Sequence, residues 1–150
     1  MDILHNEHER RSFYENNGYT EEAKSDPADQ IRLAAYNNLG YSEEAMRDTF
    51  WEIRRNAYRE FGFTEESKTD PRAEIRMEAY NTLGFTEDAL RDSYGEIRLG
   101  AYREFGFTEA AKSDLYWIIR LKAYRRFGFT ENALKDVNRV IRMEAAKALR

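Results

Sequence analysis

The chain has no cysteine, two prolines, eight glycines and two histidines in 150 residues. Without cysteine there is no disulfide scaffold, no thiolate nucleophile and no Cys-ligated metal. No apolar run approaches the ~18 residues that a membrane span needs, so no membrane association is expected. Met1 to Tyr14 is polar and charged, unlike a secretory signal, which predicts a cytoplasmic, intracellular protein. Glycine is too dispersed, one per repeat, for a phosphate-cradling loop. Charged residues make up 35% of the chain, a level seen in disordered proteins, but aromatics make up 14%, which a disordered chain lacks. A length of 150 residues suits one domain.

What is present is a repeat. Six gapless copies begin at Glu9, Ile31, Ile53, Ile75, Ile97 and Ile119, and a truncated seventh begins at Ile141. The consensus is I-R-x-x-A-Y-x-x-L/F-G-F/Y-T/S-E-x-A-x-x-D followed by four variable residues. Arginine stands second in all seven copies, from Arg10 to Arg142. Glycine stands tenth and aspartate eighteenth in all six full copies, and both prolines, Pro27 and Pro71, stand nineteenth. Gly95 and Gly100 alone fall outside that register. A weaker doubled period is superimposed: Lys24, Lys68 and Lys112 alternate with Met46, Leu90 and Leu134 at position sixteen. Fixed periods of this size are the signature of stacked repeats. The expected organisation is a polar leader over 1–8, a single repeat domain over 9–150, and a capping helix over 141–150. Glu9 and Asn17 make the first copy polar, and Ala146 replaces the tyrosine in the last, as terminal repeats require.

Each copy reads as a longer helix and a very short one. Asp70 and Pro71 are expected as N-cap and first helical residue, and Gly84 as a left-handed C-cap. Thr86 is the next N-cap, opening a helix of barely two turns to Asp92 with acids in its first turn. On a helical wheel the isoleucine, alanine and Leu/Phe positions fall within a quarter-turn of one another, which predicts a core stripe such as Ile75, Ala79 and Leu83. The arginine falls at the edge of that stripe and the tyrosine just beyond it.

The stretch D-P-R-A-E-I-R-M-E-A-Y-N-T-L-G at 70–84 resembles the second helix of HEAT-like repeats of the phycobilisome-lyase type, whose pattern is D-P-x-x-x-V-R-x-x-A-x-x-x-L-G. The short period also resembles the leucine-rich-repeat variant, which stacks a long and a very short helix. The likeness covers residues 9 to 150, with one departure: the first helix of a HEAT unit is much longer than Thr86 to Asp92. It implies an all-α, elongated α-solenoid of six repeats that binds other macromolecules, with an Arg–Asp ladder joining neighbouring units. Such short-helix solenoids also resemble proteins of large tailed phages, which implies a phage-encoded, host-interacting protein.

Catalytic chemistry finds little to work with. His5 and His8 lie before the repeats, so there is no Ser-His-Asp set and no metal site, and Glu21–Glu22 and Glu65–Glu66 read as helix-start acids. The expected protein is not an enzyme and takes no cofactor. Function then rests on departures from the repeat. Phe50, Tyr94 and Tyr116 at position twenty fall within the core stripe. Trp51 and Trp117 fall beside the tyrosine row, so an aromatic partner-binding face is expected at Trp51, Trp117, Tyr58, Tyr80, Tyr102 and Tyr124, the alternative being that these rings, the tyrosine recurring in every full repeat, fill space between stacked repeats. Residues 115–150 have a net charge of +6 and residues 1–114 one of −10. Lys122, Arg125, Arg126, Arg139, Lys147 and Arg150 form a basic end that would steer an acidic partner. A protein partner is expected first, with nucleic acid at the basic end as the alternative. The terminal caps favour a monomer, while opposite charge at the two ends would suit head-to-tail assembly.

Overall fold

The computed structural model describes residues 6–150, and no strand occurs among them. The α-helices are α1 (Glu7–Asn17), α2 (Asp29–Leu39), α3 (Trp51–Phe61), α4 (Ala73–Leu83), α5 (Gly95–Phe105), α6 (Trp117–Phe127) and α7 (Arg139–Ala148). Between them lie short 3-10 turns at Glu21–Ser25, Glu43–Arg47, Glu65–Thr69, Glu87–Arg91, Glu109–Ser113 and Glu131–Lys135. The chain is therefore an all-helical tandem repeat with the period that the sequence predicts. Two compact units, Met1–Ile75 and Arg76–Arg150, divide it inside α4. The first contains clusters around Ile31 and Ile53, and the second contains clusters around Ile97, Ile119 and Ile141. No described helix is long and apolar enough to cross a membrane.

Local details depart from expectation in four places. The short element is a 3-10 turn, closed by i→i+3 bonds such as Ala89 N–H to Thr86 O at 3.0 Å and Asp92 N–H to Ala89 O at 3.2 Å. Its buried small residue, alanine in five turns and Ser67 in the sixth, lets the turn lie flat against the next helix, and such tight runs serve well as short connectors. Next, the aspartate does not cap the helix directly. Its carboxylate accepts the N–H two residues on, as in Asp70 to Arg72 at 2.8 Å, and α4 begins only at Ala73, beyond Pro71. This local aspartate turn aims the chain into the helix. Third, α1 starts at Glu7, with Asn6 accepting the Glu9 N–H at 2.8 Å, so Glu7 and His8 belong to a helix rather than to the leader. His5 lies outside the described residues.

The fourth departure is the glycine. Gly62 ends α3 at φ 106° and ψ 142°, an extended conformation at positive φ rather than the left-handed helical one. That region is essentially restricted to glycine. Nothing lies within 4 Å of the place a Cβ would occupy, so the constraint is in the backbone and not in the packing. Gly62→Ala is expected to lower stability by about 1–3 kcal/mol in urea denaturation. Gly95 and Gly100 are helical and answer to a different need: a Cβ on Gly95 would sit 2.7 Å from the Tyr116 ring, and one on Gly100 would collide with the Phe85 ring.

The core has a different shape from the predicted stripe. Position one (Ile97) and position five (Ala101) pack against Ala89 of the preceding turn, and Tyr80 of α4 completes the cluster. Tyrosine at position six and, in α5 and α6, leucine at position three face the following turn. Each tyrosine stacks on the aromatic at position eleven, as Tyr80 does on Phe85 with centroids 5.4 Å apart. The helix is thus gripped on two flanks, one at positions one and five, the other at positions six and three. The arginine at position two runs between them. Position nine, expected in the core stripe, is half-exposed in Leu39, Phe61, Leu83, Phe105 and Phe127. It lies in the last helical turn, beside the glycine where the chain swings out, and neither flank covers it. The alternation at position sixteen also finds its reason here. Lys24 and Lys112 lie over the rings of Tyr36 and Tyr124 at 5.0 and 5.4 Å, while Met46, Leu90 and Leu134 pack into clusters.

Candidate interaction surface

The most regular polar feature is the arginine–aspartate ladder. In each full repeat the arginine Nε and Nη2 grip the aspartate sixteen residues on. Arg98 reaches Asp114 at 3.0 and 2.8 Å, and Arg120 reaches Asp136 at 2.8 and 2.8 Å. Nη1 turns the other way, to the main-chain oxygen of the preceding repeat's aspartate: Arg98 to Asp92 at 2.8 Å, Arg120 to Asp114 at 3.0 Å. One guanidinium therefore ties two neighbouring turns to one helix, and the planar fork suits this two-sided task as an ammonium would not. Burial pushes the Asp92 and Asp114 carboxyls up, but the arginine hydrogen bonds, the main-chain N–H of residue 94 or 116, and two nearby guanidinium charges outweigh it and hold both below the usual range. At Asp136 the Arg120 hydrogen bond is the leading influence, with the same result. These arginines are occupied in holding the fold.

The tyrosine row is likewise inside. Tyr58, Tyr80 and Tyr124 are buried and Tyr102 is partly buried, all stacked on their position-eleven rings, so this part of the predicted aromatic face is core packing. The wheel placed them beside the stripe because it assumed one packing flank rather than two. Trp51 and Trp117 are half-buried. Trp117 packs on the cluster around Ile141. Trp51 has the Arg55 guanidinium carbon 4.9 Å and that of Arg72 4.2 Å from its ring centre. Arg55 stands at position three, where other copies are mostly apolar, and its Nε is buried with no hydrogen-bond partner. Phe50 and Tyr116 pack partly into clusters, while Tyr94 is more exposed. The Tyr116 hydroxyl donates to the Glu96 carboxylate, which raises its pKa to about 12, over a shallow recess lined by Tyr94, Gly95 and Leu115.

At the basic end, Arg125 is bidentate to Glu144 at 2.9 and 2.6 Å. Lys122 is partly buried, and Arg126, Arg139, Lys147 and Arg150 are exposed. None of these five lies in ion-pair range of a carboxylate among the described residues. Arg126 lies against the Phe127 ring at 5.7 Å. The glutamates at the turn starts serve as local partners, Glu21 to Lys24 and Glu65 to Lys68, each at 3.1 Å. No group of three metal-ligating side chains occurs among the described residues.

Sequence reasoning missed position nine. Its signal was present in the Leu/Phe-Gly pair: a large apolar residue just before an obligatory glycine sits where the chain leaves the helix. Leu39 and Phe61 in the first unit, and Leu83, Phe105 and Phe127 in the second, place one half-exposed apolar side chain at the end of every helix from α2 to α6. Comparison with protein-family models, with curated proteins and with solved structures finds no match.

Proposed function

We propose that the chain is a non-catalytic, protein-binding scaffold of the HEAT-like type, working inside the cell. The observation behind this reading is the recurrent half-exposure of Leu39, Phe61, Leu83, Phe105 and Phe127 on a frame whose other large apolar positions are mostly covered. Single exposed apolar residues are ordinary, but the same position left open in five successive repeats gives each unit a patterned apolar surface for a partner. Trp51 and Trp117, half-buried, add the residue type most enriched in binding hot spots.

Affinity capture with the whole chain tests it. The paired change Phe105→Ala and Phe127→Ala, or Trp51→Ala and Trp117→Ala, is expected to cut partner capture by about ten-fold or more, as loss of a hot spot does. Capture undiminished by both pairs would overturn the reading. A second reading, nucleic acid at the C-terminal end, draws on the unpaired Lys122, Arg126, Arg139, Lys147 and Arg150. Phosphate contact requires steep weakening between low and moderate salt, and no binding at low salt removes it.

A further inference from the structure

Among the described residues one buried side-chain donor has no acceptor: the Nε of Arg55. Its guanidinium enters no ion pair and no hydrogen bond among them. What it touches is the indole of Trp51, one turn earlier on α3, whose ring centre lies 4.9 Å from the guanidinium carbon. Arg72 reaches the same ring at 4.2 Å from the loop before α4, and pairs with Glu74 at 2.5 Å. Two guanidiniums thus meet at one indole, and a single carboxylate answers them.

The fold has no need of a cation here. Position three holds Leu33, Met77, Leu99 and Leu121 in other copies. Arg11, the other arginine at that position, is exposed and paired with Glu15 at 3.2 Å. A partly buried guanidinium without a carboxylate is costly to keep, and a ring face offsets only part of that cost. Buried donors without acceptors are rare in folded chains. A residue kept against the interest of stability is characteristic of a binding position.

The adjacent residue shows what such a fork holds. Arg54 grips the Asp70 carboxylate through Nε and Nη2, each at 2.9 Å. Arg55 carries the same fork with nothing in it. Drawing its head outward to a carboxylate breaks no hydrogen bond and gives Nε a charge-assisted one. A long polyanion suits the place poorly, because Glu52 and Glu74 stand close by in the chain and residues 1–114 have a net charge of −10. One acidic side chain set among apolar neighbours meets both the fork and the half-buried indole.

We propose that Arg55, with Trp51 and Arg72 beside it, is a docking site for a single glutamate or aspartate side chain of a partner protein. This inference rests on the protein-binding reading and gives it a partner chemistry, at a site distinct from the position-nine row.

The probe is the peptide G-S-L-E-L-S-G, blocked at both ends and titrated at low salt into the 15N-labelled full chain. The Arg55 Nε–H signal is the one absent from Arg55→Leu, and the Trp51 indole N–H the one absent from Trp51→Phe. Both are expected to shift saturably with the peptide and to ignore its glutamine version. In Arg55→Leu the Trp51 signal should no longer respond. The same variant supplies the residue that Leu99 and Leu121 supply elsewhere and removes a donor that nothing accepts, so its urea midpoint should hold or rise. A marked fall in midpoint assigns Arg55 to the fold and overturns the proposal. Signals indifferent to the peptide, or answering only to an oligothymidylate, overturn it too. If capture still depends on Phe105 and Phe127 in that case, the scaffold reading stands and only this site is lost.

Discussion

Asp114→Ala is expected to cost about 3–5 kcal/mol, the usual effect of removing one member of a nearly buried ion pair. The carboxylate accepts two bonds from Arg98 and one from the Tyr116 main-chain N–H at 2.7 Å, and the two side chains are almost wholly covered. Its removal leaves the Arg98 fork in a low-dielectric seam with only the bond to Asp92 O, and frees the chain that leads into α6. Urea denaturation of the full chain, followed at the helical dichroism band, should show a marked fall in midpoint. A change below ~1 kcal/mol would mean that the ladder is no stronger than a surface ion pair. The same carboxylates set an acid limit. Because Asp26, Asp92, Asp114 and Asp136 are held below the usual range in the folded chain, each contributes its full share of stability above an unfolded pKa of about 3.9. That share is lost as pH falls through the lowered folded values. Stability is expected to be level with respect to these groups from neutral pH down to about 5 and to decline steeply below about 4.

Ile119→Ala is expected to cost about 2–5 kcal/mol, the range for truncating a buried aliphatic side chain where the surroundings collapse incompletely. Ile119 is 0% exposed, enclosed by Leu99, Ala111 and Ala123. Its neighbours include two alanines on well-held backbone, which have no side-chain length with which to refill the space. The informative comparison is Phe105→Ala. The helical wheel put positions one and nine in one stripe and predicts similar losses for both. Phe105 is 48% exposed, so its truncation should cost well under half of the Ile119 effect in the same urea experiment. Equal losses would return position nine to the core and remove the apolar surface on which the binding reading rests.

Much of the frame was legible beforehand. The repeat register, the seven arginines and the alternation of a long and a short helical element follow from spacing, because each copy meets the same neighbours, and the pairing of arginine with aspartate was implied by the HEAT-like resemblance. The candidate surface was less legible. The tyrosines look like a Trp/Tyr binding face when helices are assumed to pack on one side, and only the second flank hides them. Gly100 has no local reason to be glycine until the Phe85 ring of the preceding repeat is seen against it.

From spacing alone the chain reads as a tandem array of helical repeats, since periodicity is a local and additive property. The tertiary structure decided which residues face outward. Tyr80 is core because the following turn and helix, through Ala89 and Ile97, cover it, and Phe105 is half-exposed because no neighbouring element does, so exposure depends on what the next repeat covers rather than on the helix's own apolar face.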